Sequence, residues 1–181
     1  VFDKKHQSIA SISSMREKTI VINGVSKSHS MTGWRIGLLF APSYLAKHIL
    51  KVHQYNVSCA SSVSQAAALE ALTAGKNDAV DMKKEYEQRL NYVYDRLVNM
   101  GFDVEKPTGA FYIFPSIQNF HSKSFDFALE LVKEAGVALV PGSAFSSHGE
   151  GYVRLSYAYS MNTLREACDR IEAYLTSRQS R

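Results

Sequence analysis

The chain has 181 residues, of which 45% are hydrophobic and 21% are charged, and its formal net charge is +4. This composition is typical of a folded globular protein and argues against collagen, a disulfide scaffold or a disordered chain. The basic residues are scattered rather than gathered into the stripe of a nucleic-acid-binding protein, and no apolar run is long enough for a transmembrane helix. We therefore expect a soluble, cytoplasmic protein that binds neither nucleic acid nor a membrane.

The cysteines and histidines give no sign of a metal site. Cys59 and Cys168 lie far apart in the sequence, and neither belongs to a spacing of cysteine and histidine ligands. Histidine occurs 6 times, again without metal-ligand spacing. We expect no bound metal and two free thiols, as is usual in a reducing cytosol.

The first half of the chain predicts two buried strands followed by two helices. Residues 19–22 and 36–40 are short apolar runs that end at turn residues, which is typical of buried strands. The serine-rich stretch 26–32 connects them, so it is expected as a loop at the end of a sheet, where ligands often bind. Helical periodicity then covers residues 43–55 and 62–73.

The second half predicts a separate α/β layer that begins with a long helix over residues 78–100. The apolar stripe of this helix contains Tyr86, Leu90, Val93 and Leu97. Strands are then predicted at residues 110–114, 138–140 and 152–157, and helices at residues 125–135 and 162–175. Because the pattern changes near the start of the long helix, we predict one domain over residues 1–75 and a second over residues 76–181.

The most distinctive segment is residues 24–37, which read GVSKSHSMTGWRIG. It places Lys27 just after a predicted strand and Arg35 at the start of the next. A lysine amine condenses with an aldehyde, and an arginine offers a planar set of donors to a phosphate dianion, so the pair suits a phosphorylated aldehyde cofactor. Ser26 can add a hydroxyl contact, although a serine beside a turn equally often caps the local backbone. Taken singly, such residues are usually exposed side chains without a specific role.

The same segment resembles the lysine-attachment signature of the class I and II aminotransferases, with the form G-x-[small]-K-x-x-[small]-x-x-G-x-R-x-G. The resemblance implies pyridoxal 5'-phosphate as the cofactor. Lys27 would carry it as a Schiff base and act as the catalytic base, Arg35 would bind its phosphate, and Ser26 would add a contact. Gly24 stands where some relatives carry a serine, so one phosphate donor is absent.

A further candidate site residue, Arg154, lies in the run YVRLSYA at residues 152–158. Apolar and polar positions alternate there, which is typical of an amphipathic strand whose arginine faces solvent. The run also resembles the family segment whose arginine binds the α-carboxylate of the substrate. That resemblance implies a bidentate guanidinium–carboxylate pair, which holds the substrate with its Cα–H facing the lysine.

The family resemblance extends over essentially the whole chain and implies its fold. The fold class is α/β, and the chain corresponds to the C-terminal part of a fold-type I transferase: the end of the large-domain sheet followed by the small domain. Residues 107–115 and 141–145 resemble small-domain segments, and we expect their aromatic side chains in the core. Within the family, residues 15–19, 26–40 and 55–59 are most similar to the bacterial aminotransferase A group, which is associated with N-acetyl-diaminopimelate transamination in lysine biosynthesis.

The resemblance also implies that groups needed for activity lie outside this chain. Family members are longer, and their N-terminal half supplies a glycine-rich phosphate loop and an aspartate that contacts the pyridine nitrogen. We therefore expect a fragment that is inactive alone, and a full-length homodimer that transfers an amino group from an amino acid to a 2-oxo acid. Two alternatives remain open: a C–S lyase of the same fold, and the aminotransferase-like effector domain of a transcription regulator.

Overall fold

The computed structural model describes residues 1–2 and 4–179, which form two compact units. Lys5–Met82 make up the first, named here the Lys27 unit. The described residues of Val1–Lys4 and Lys83–Arg181 make up the second, named the Arg154 unit. The division falls a few residues beyond the predicted boundary between residues 75 and 76. The assignment of these parts to a large and a small domain stays a prediction.

The Lys27 unit combines a two-stranded sheet with helices. Strand β1 (Val21–Asn23) pairs antiparallel with strand β2 (Leu38–Phe40). Helices α1 (Ser43–Val57) and α2 (Ser62–Leu72) follow, and the unit ends in the first turn of α3 (Ala79–Asn99). Short 3-10 helices lie at Ile9–Ser11, Ser13–Lys18 and Thr32–Trp34. The predicted elements are therefore present, although both strands are shorter than the apolar runs that predicted them.

The predicted burial of the two strands is wrong. Ile22 is 79% exposed and Phe40 is 57% exposed, and neither strand contains a buried residue. In the described structure the strands pair only with each other, and the buried cluster of this unit consists of Val25, Met31 and Ala68. A β-branched apolar run favours extended backbone in any surroundings, whereas burial requires neighbours that cover it.

The Arg154 unit contains the rest of α3, a three-stranded antiparallel sheet and two further helices. Its strands are β3 (Tyr112–Ile113), β4 (Val140–Pro141) and β5 (Val153–Ser156), in the spatial order β3-β5-β4. Helix α4 (Ser124–Glu130) continues into a π-helical turn (Leu131–Ala135), and α5 is Met161–Gln179. Two more 3-10 turns lie at Gly142–Ala144 and Ser147–Gly149. The predicted order of elements is confirmed.

The main hydrophobic core lies in the Arg154 unit and joins α3, α5 and the sheet. The stripe predicted on α3 is buried, with Leu90, Val93 and Leu97 at most 2% exposed, and Tyr86 packs against the same cluster. On β5 the apolar positions are buried and the intervening positions are half-buried, as the alternation predicted. Each fully buried aliphatic side chain stabilises the fold by about 1.5–3 kcal/mol, so this core holds β5 and its polar face in a fixed place.

Candidate functional site

The loop that carries Lys27 is anchored by buried apolar residues on either side of the lysine. Val25 is 2% exposed and Met31 is 7% exposed, and both pack against Ala68 of α2. The backbone NH of His29 donates to the carbonyl of Val25 at 3.1 Å, which closes a tight turn around the lysine. Small side chains on α2 let the loop approach the helix closely, so the lysine is presented from a supported turn rather than from a free loop.

His29 fastens the same loop to the residues that follow α2. Its Nε2 lies 3.2 Å from the carbonyl oxygen of Gly75, and its Nδ1 lies 2.9 Å from the hydroxyl of Ser28. Sequence reasoning missed this contact because its partners are 46 positions apart. The hydrogen bond from His29 joins the loop to Gly75, which follows α2, and so limits the movement of the turn.

No carboxylate of the described residues pairs with the cationic groups of the loop. Lys27 is exposed, and its side-chain amine makes no hydrogen bond or ion pair with any described residue. The Nη1 atom of Arg35 donates to the carbonyl of Thr32 at 3.1 Å, and no described carboxylate pairs with this guanidinium. Ser26 is half-buried, and its hydroxyl has no hydrogen-bond partner within the described part of the chain. The loop therefore offers an amine, a guanidinium and a hydroxyl that an anionic ligand can engage.

Two non-glycine residues of the loop adopt the left-handed backbone conformation. Arg35 has φ 51° and ψ 48°, and Ser30 has φ 54°. Such conformations cost about 1–3 kcal/mol each and cluster at functional sites. The arginine is held in place because Ser64 of α2 donates from its hydroxyl to the carbonyl of Trp34 at 2.7 Å, immediately before it. No sequence signal predicted this strain.

The chemistry of this donor set fits a phosphorylated aldehyde. A primary amine without a counter-ion can condense with the aldehyde, and a guanidinium without a carboxylate partner can bind the phosphate dianion. At Gly24 an added Cβ would meet only ordinary van der Waals neighbours, the nearest at 3.7 Å. The glycine there is consequently not required by packing.

Arg154 lies on β5, the central strand of its sheet, where it is opposite Val140 of β4. Its guanidinium carbon lies 4.2 Å from the ring centroid of Tyr112 and 4.8 Å from that of Phe145. No carboxylate of the described residues pairs with it. It lines two cavities of the Arg154 unit, of about 520 Å³ and about 440 Å³. A half-buried cation that borders open space and has no counter-ion is suited to bind a carboxylate.

The aromatic residues near Arg154 were expected in the core, and for three of them that expectation is wrong. Tyr112, Phe114 and Phe145 are 37%, 38% and 53% exposed and line the smaller cavity beside the arginine. Only Phe111 packs against the core cluster, as expected. Strand geometry explains the exposure of Tyr112, since it lies opposite Ser156 on the sheet face that Arg154 occupies, whereas Phe145 follows the 3-10 turn Gly142–Ala144.

The sequence-predicted site residues fall into two groups, one in each compact unit. Ser26, Lys27 and Arg35 belong to the Lys27 unit, and Arg154 belongs to the Arg154 unit. Among the residues that the structure describes, no cluster of His, Cys, Asp or Glu could hold a metal ion. Within the same residues, no helix is both long enough and apolar enough to cross a membrane.

The mixed α/β architecture and the lysine loop define a chain of the fold-type I aminotransferase class. Residues 1–171 match the family "Aminotransferase class I and II", and the chain belongs to that family. The family and the fold class expected from the sequence are both confirmed.

Individual relatives agree with this assignment. The chain is 66% identical over 178 residues to the probable N-acetyl-LL-diaminopimelate aminotransferase of Bacillus subtilis, covering 98% of this chain and 45% of the relative. It is 46% identical over 179 residues to an aspartate aminotransferase of Pyrococcus abyssi, covering 98% of this chain and 46% of the relative. The solved aromatic aminotransferase of Pyrococcus horikoshii superposes with a TM-score of 0.94 at 45% identity, over 98% of this chain and 48% of that chain. The chain thus spans slightly less than half the length of these relatives.

Proposed function

We propose that this chain forms the C-terminal part of a pyridoxal-phosphate-dependent aminotransferase that moves an amino group from an amino acid to a 2-oxo acid. One observation carries the proposal: the family's attachment signature is present as an anchored loop whose Lys27 and Arg35 have no described carboxylate partners. The relatives that match along nearly the whole chain are named aminotransferases, which supports the same reaction class.

Each residue of the Lys27 loop binds a different part of the cofactor in this proposal. Lys27 attaches it through the amine and, once released, holds at Nζ the proton that leaves and returns to the substrate. Arg35 binds the phosphate with its planar donors, and Ser26 adds a hydroxyl contact. When bound, the cofactor supplies an electron sink for the bond that breaks at the substrate α-carbon.

Arg154 binds the α-carboxylate of the amino acid in this proposal. A guanidinium and a carboxylate can form two parallel N–H···O hydrogen bonds, which fix the orientation as well as the position of the ligand. Fixing the orientation matters because the Cα–H bond must face the base, and correct alignment contributes strongly to the rate.

The finer aspects of the proposal follow the relative with 66% identity. N-acetyl-LL-diaminopimelate is the first amino donor to test, since it stands in that relative's name, and the reaction would belong to lysine biosynthesis. We expect a homodimer in the cytoplasm when the protein has full length. The 181-residue chain on its own is expected to lack transaminase activity, and a measurable rate from a preparation of these residues alone would contradict this.

The central test is to reduce the full-length protein with borohydride in the presence of pyridoxal phosphate and to map the modified peptide by mass spectrometry. A phosphopyridoxyl group on Lys27, absent from a Lys27→Met variant, is the expected result. Lys47 is a suitable internal control, because it is an exposed lysine of α1 outside the loop. An unmodified Lys27, with the cofactor absent or attached elsewhere, would overturn the proposal.

Product analysis separates the proposed reaction from its nearest alternative. An aminotransferase needs a 2-oxo acid and converts it into an amino acid. Release of pyruvate and ammonia without such an acceptor would instead indicate a C–S lyase of the same fold.

A further inference from the structure

One face of the sheet in the Arg154 unit carries a group of aromatic rings around a single arginine. Phe114 stacks on Tyr152, with ring centroids 5.4 Å apart and planes inclined by only 4°. Phe145 meets Phe114 edge-on at 6.2 Å. The guanidinium of Arg154 lies over the rings of Tyr112 and Phe145. The arginine is therefore in contact with two rings, and each of these contacts a further ring, since Phe111 also lies 4.4 Å from Tyr112.

Other arginines of the unit also lie over aromatic rings, and the comparison shows what is different at Arg154. The guanidinium groups of Arg89, Arg96 and Arg178 each lie over a tyrosine, and each of them also forms an ion pair with a glutamate or aspartate. Arg165 has no described ion pair, but it lies over a single ring, that of Tyr92, at the longer distance of 5.9 Å. Arg154 has two rings and no described carboxylate partner. Its ring contacts leave the guanidinium available to a carboxylate that comes from outside the chain.

From this arrangement we infer that Tyr112 and Phe145 are positioning residues that hold the guanidinium of Arg154 in the orientation that binds a substrate carboxylate. The inference rests on the proposed function, because it takes Arg154 as the carboxylate-binding residue. Rings that cover the planar faces of a guanidinium leave its N–H edge free, and that edge makes bidentate hydrogen bonds. Because the guanidinium is already held in this orientation, less conformational entropy is lost when the ligand binds.

Both rings are held by features of the backbone. Tyr112 of β3 lies opposite Ser156 of β5. Tyr112 is therefore a diagonal neighbour of Arg154 on the same sheet face. Phe145 ends the 3-10 turn Gly142–Ala144, and its NH donates to the carbonyl of Gly142 at 3.0 Å. That turn is in close contact with Gly149, since a Cβ added at Gly142 would lie within 1.9 Å of the Gly149 carbonyl oxygen. The backbone consequently fixes the positions from which the two rings contact the arginine.

The test compares substitutions that keep the ring with substitutions that remove it, in the full-length protein. Tyr112→Phe keeps an aromatic face, whereas Tyr112→Leu and Phe145→Leu keep an apolar side chain without one. Phe125→Leu is the matched control, because Phe125 is 60% exposed on α4 and makes no described ring contact. Melting temperatures identify any variant that fails to fold, and the two leucine variants lie on different elements, so one can replace the other.

Two readouts distinguish positioning from a structural role. In kinetics, each leucine variant should raise KM for the amino donor about 3- to 10-fold with a much smaller change in kcat, as expected for the loss of one cation–π contact. Tyr112→Phe and Phe125→Leu should stay within about 2-fold of the wild type. In ¹⁵N-arginine NMR spectra, acetate should shift the Nε–Hε signal of Arg154, assigned with Arg154→Lys, and should do so more weakly in the leucine variants.

The outcomes separate this inference from the proposed function. If acetate shifts the Arg154 signal equally in the wild type and the leucine variants, or does not shift it in the wild type, the positioning role is overturned. If the leucine variants weaken acetate binding while the full-length protein shows no transamination, the positioning role stands for another carboxylate ligand and the proposed reaction fails. Weaker acetate binding in the leucine variants, together with the increase in KM, supports both the positioning role and the proposed function.

Discussion

At Arg35 the backbone conformation and the side chain have separate consequences that substitution can distinguish. The left-handed conformation at φ 51° strains any residue other than glycine. We expect Arg35→Gly to be more stable than Arg35→Ala by about 1 kcal/mol. Alanine keeps the backbone strain and glycine relieves it, and the extra conformational entropy that glycine loses on folding offsets part of this gain. Urea unfolding of both variants measures the difference. An alanine variant at least as stable as the glycine variant would show that this conformation is not strained.

The two cysteines should differ sharply in reactivity. Cys168 is 1% exposed, and its burial raises the pKa of the thiol to about 11, whereas Cys59 is exposed. At pH 8 only about one Cys168 thiol in a thousand is then the reactive thiolate. We expect iodoacetamide to modify Cys59 alone in the folded protein and both cysteines in urea, as read by intact mass. Comparable labelling of both in the folded state would contradict the burial of Cys168.

The residues of the lysine loop show what the sequence can and cannot predict. Lys27 and Arg35 could be proposed as site residues because residues 24–37 resemble the family's lysine-attachment signature. The bond from His29 to Gly75 and the strain at Arg35 could not, because both depend on where α2 lies against the loop. Local patterns indicate candidate reactive groups, whereas the contacts that support those groups come from residues distant in sequence.

Among the secondary-structure elements, the turn before β5 depends on a backbone contact that only glycine permits. A Cβ at Gly142 would lie 1.9 Å from the carbonyl oxygen of Gly149 and 2.8 Å from that of Tyr152. Since both neighbours are backbone atoms of the same folded turn, Gly142→Ala should lower the free energy of unfolding by about 3 kcal/mol. Denaturant unfolding tests this. Ser146→Ala, in the same loop with an exposed side chain, should change it by less than about 0.5 kcal/mol.

Helices α4 and α5 are joined by a charged hydrogen-bond network centred on Glu130. The Tyr174 hydroxyl donates to Glu130 at 2.6 Å, and Arg178 also pairs with this carboxylate. The hydrogen bond from Tyr174 is the main cause that lowers the pKa of Glu130; burial opposes the shift, and the charge of Arg178 adds to it. Because the pKa is lowered on folding, the stabilisation is present above the unfolded value of about 4.3 and is lost as pH falls through the folded value.

This network gives a prediction in which pH is the variable. Glu130→Gln should be less stable than the wild type at pH 7, and the difference should shrink as the pH falls below the unfolded value of about 4.3 and through the lowered pKa of the folded carboxylate. Tyr174→Phe should lose about 1 kcal/mol at pH 7 through the missing hydrogen bond, a modest value because the carboxylate is partly exposed. Urea midpoints at both pH values provide the measurement. A Glu130→Gln deficit that is constant with pH would show that the ionised carboxylate contributes nothing.

The sequence predicted the order of the elements better than it predicted their surroundings. The stripe of α3 and the alternation of β5 were readable because each buries one face against a core within this chain. The apolar residues of β1 and β2 carry an equally strong pattern, yet they are exposed. Periodicity reports which side chains share a face, and only the complete set of neighbours decides whether that face is covered.

For the molecule as a whole, the apolar surface of the β1–β2 sheet should control self-association of the 181-residue chain. Ile22 and Leu39 lie directly opposite each other across the strands and are 79% and 44% exposed. Exposed apolar residues on a short open sheet favour pairing with another copy. Ile22→Lys combined with Leu39→Glu places opposite charges across the pair, which keeps the local pairing and opposes association through the face.

We expect the double variant to sediment as a smaller species than the wild-type chain at equal concentration, with unchanged helical content by circular dichroism. The control carries the same two charges elsewhere: Val132→Lys with Leu129→Glu, at positions 47% and 40% exposed on the α4 segment. This control should associate like the wild type, because it leaves the β1–β2 face intact. Equal relief of association by both double variants would mean that added charge alone is responsible, and that the sheet face has no special part in it.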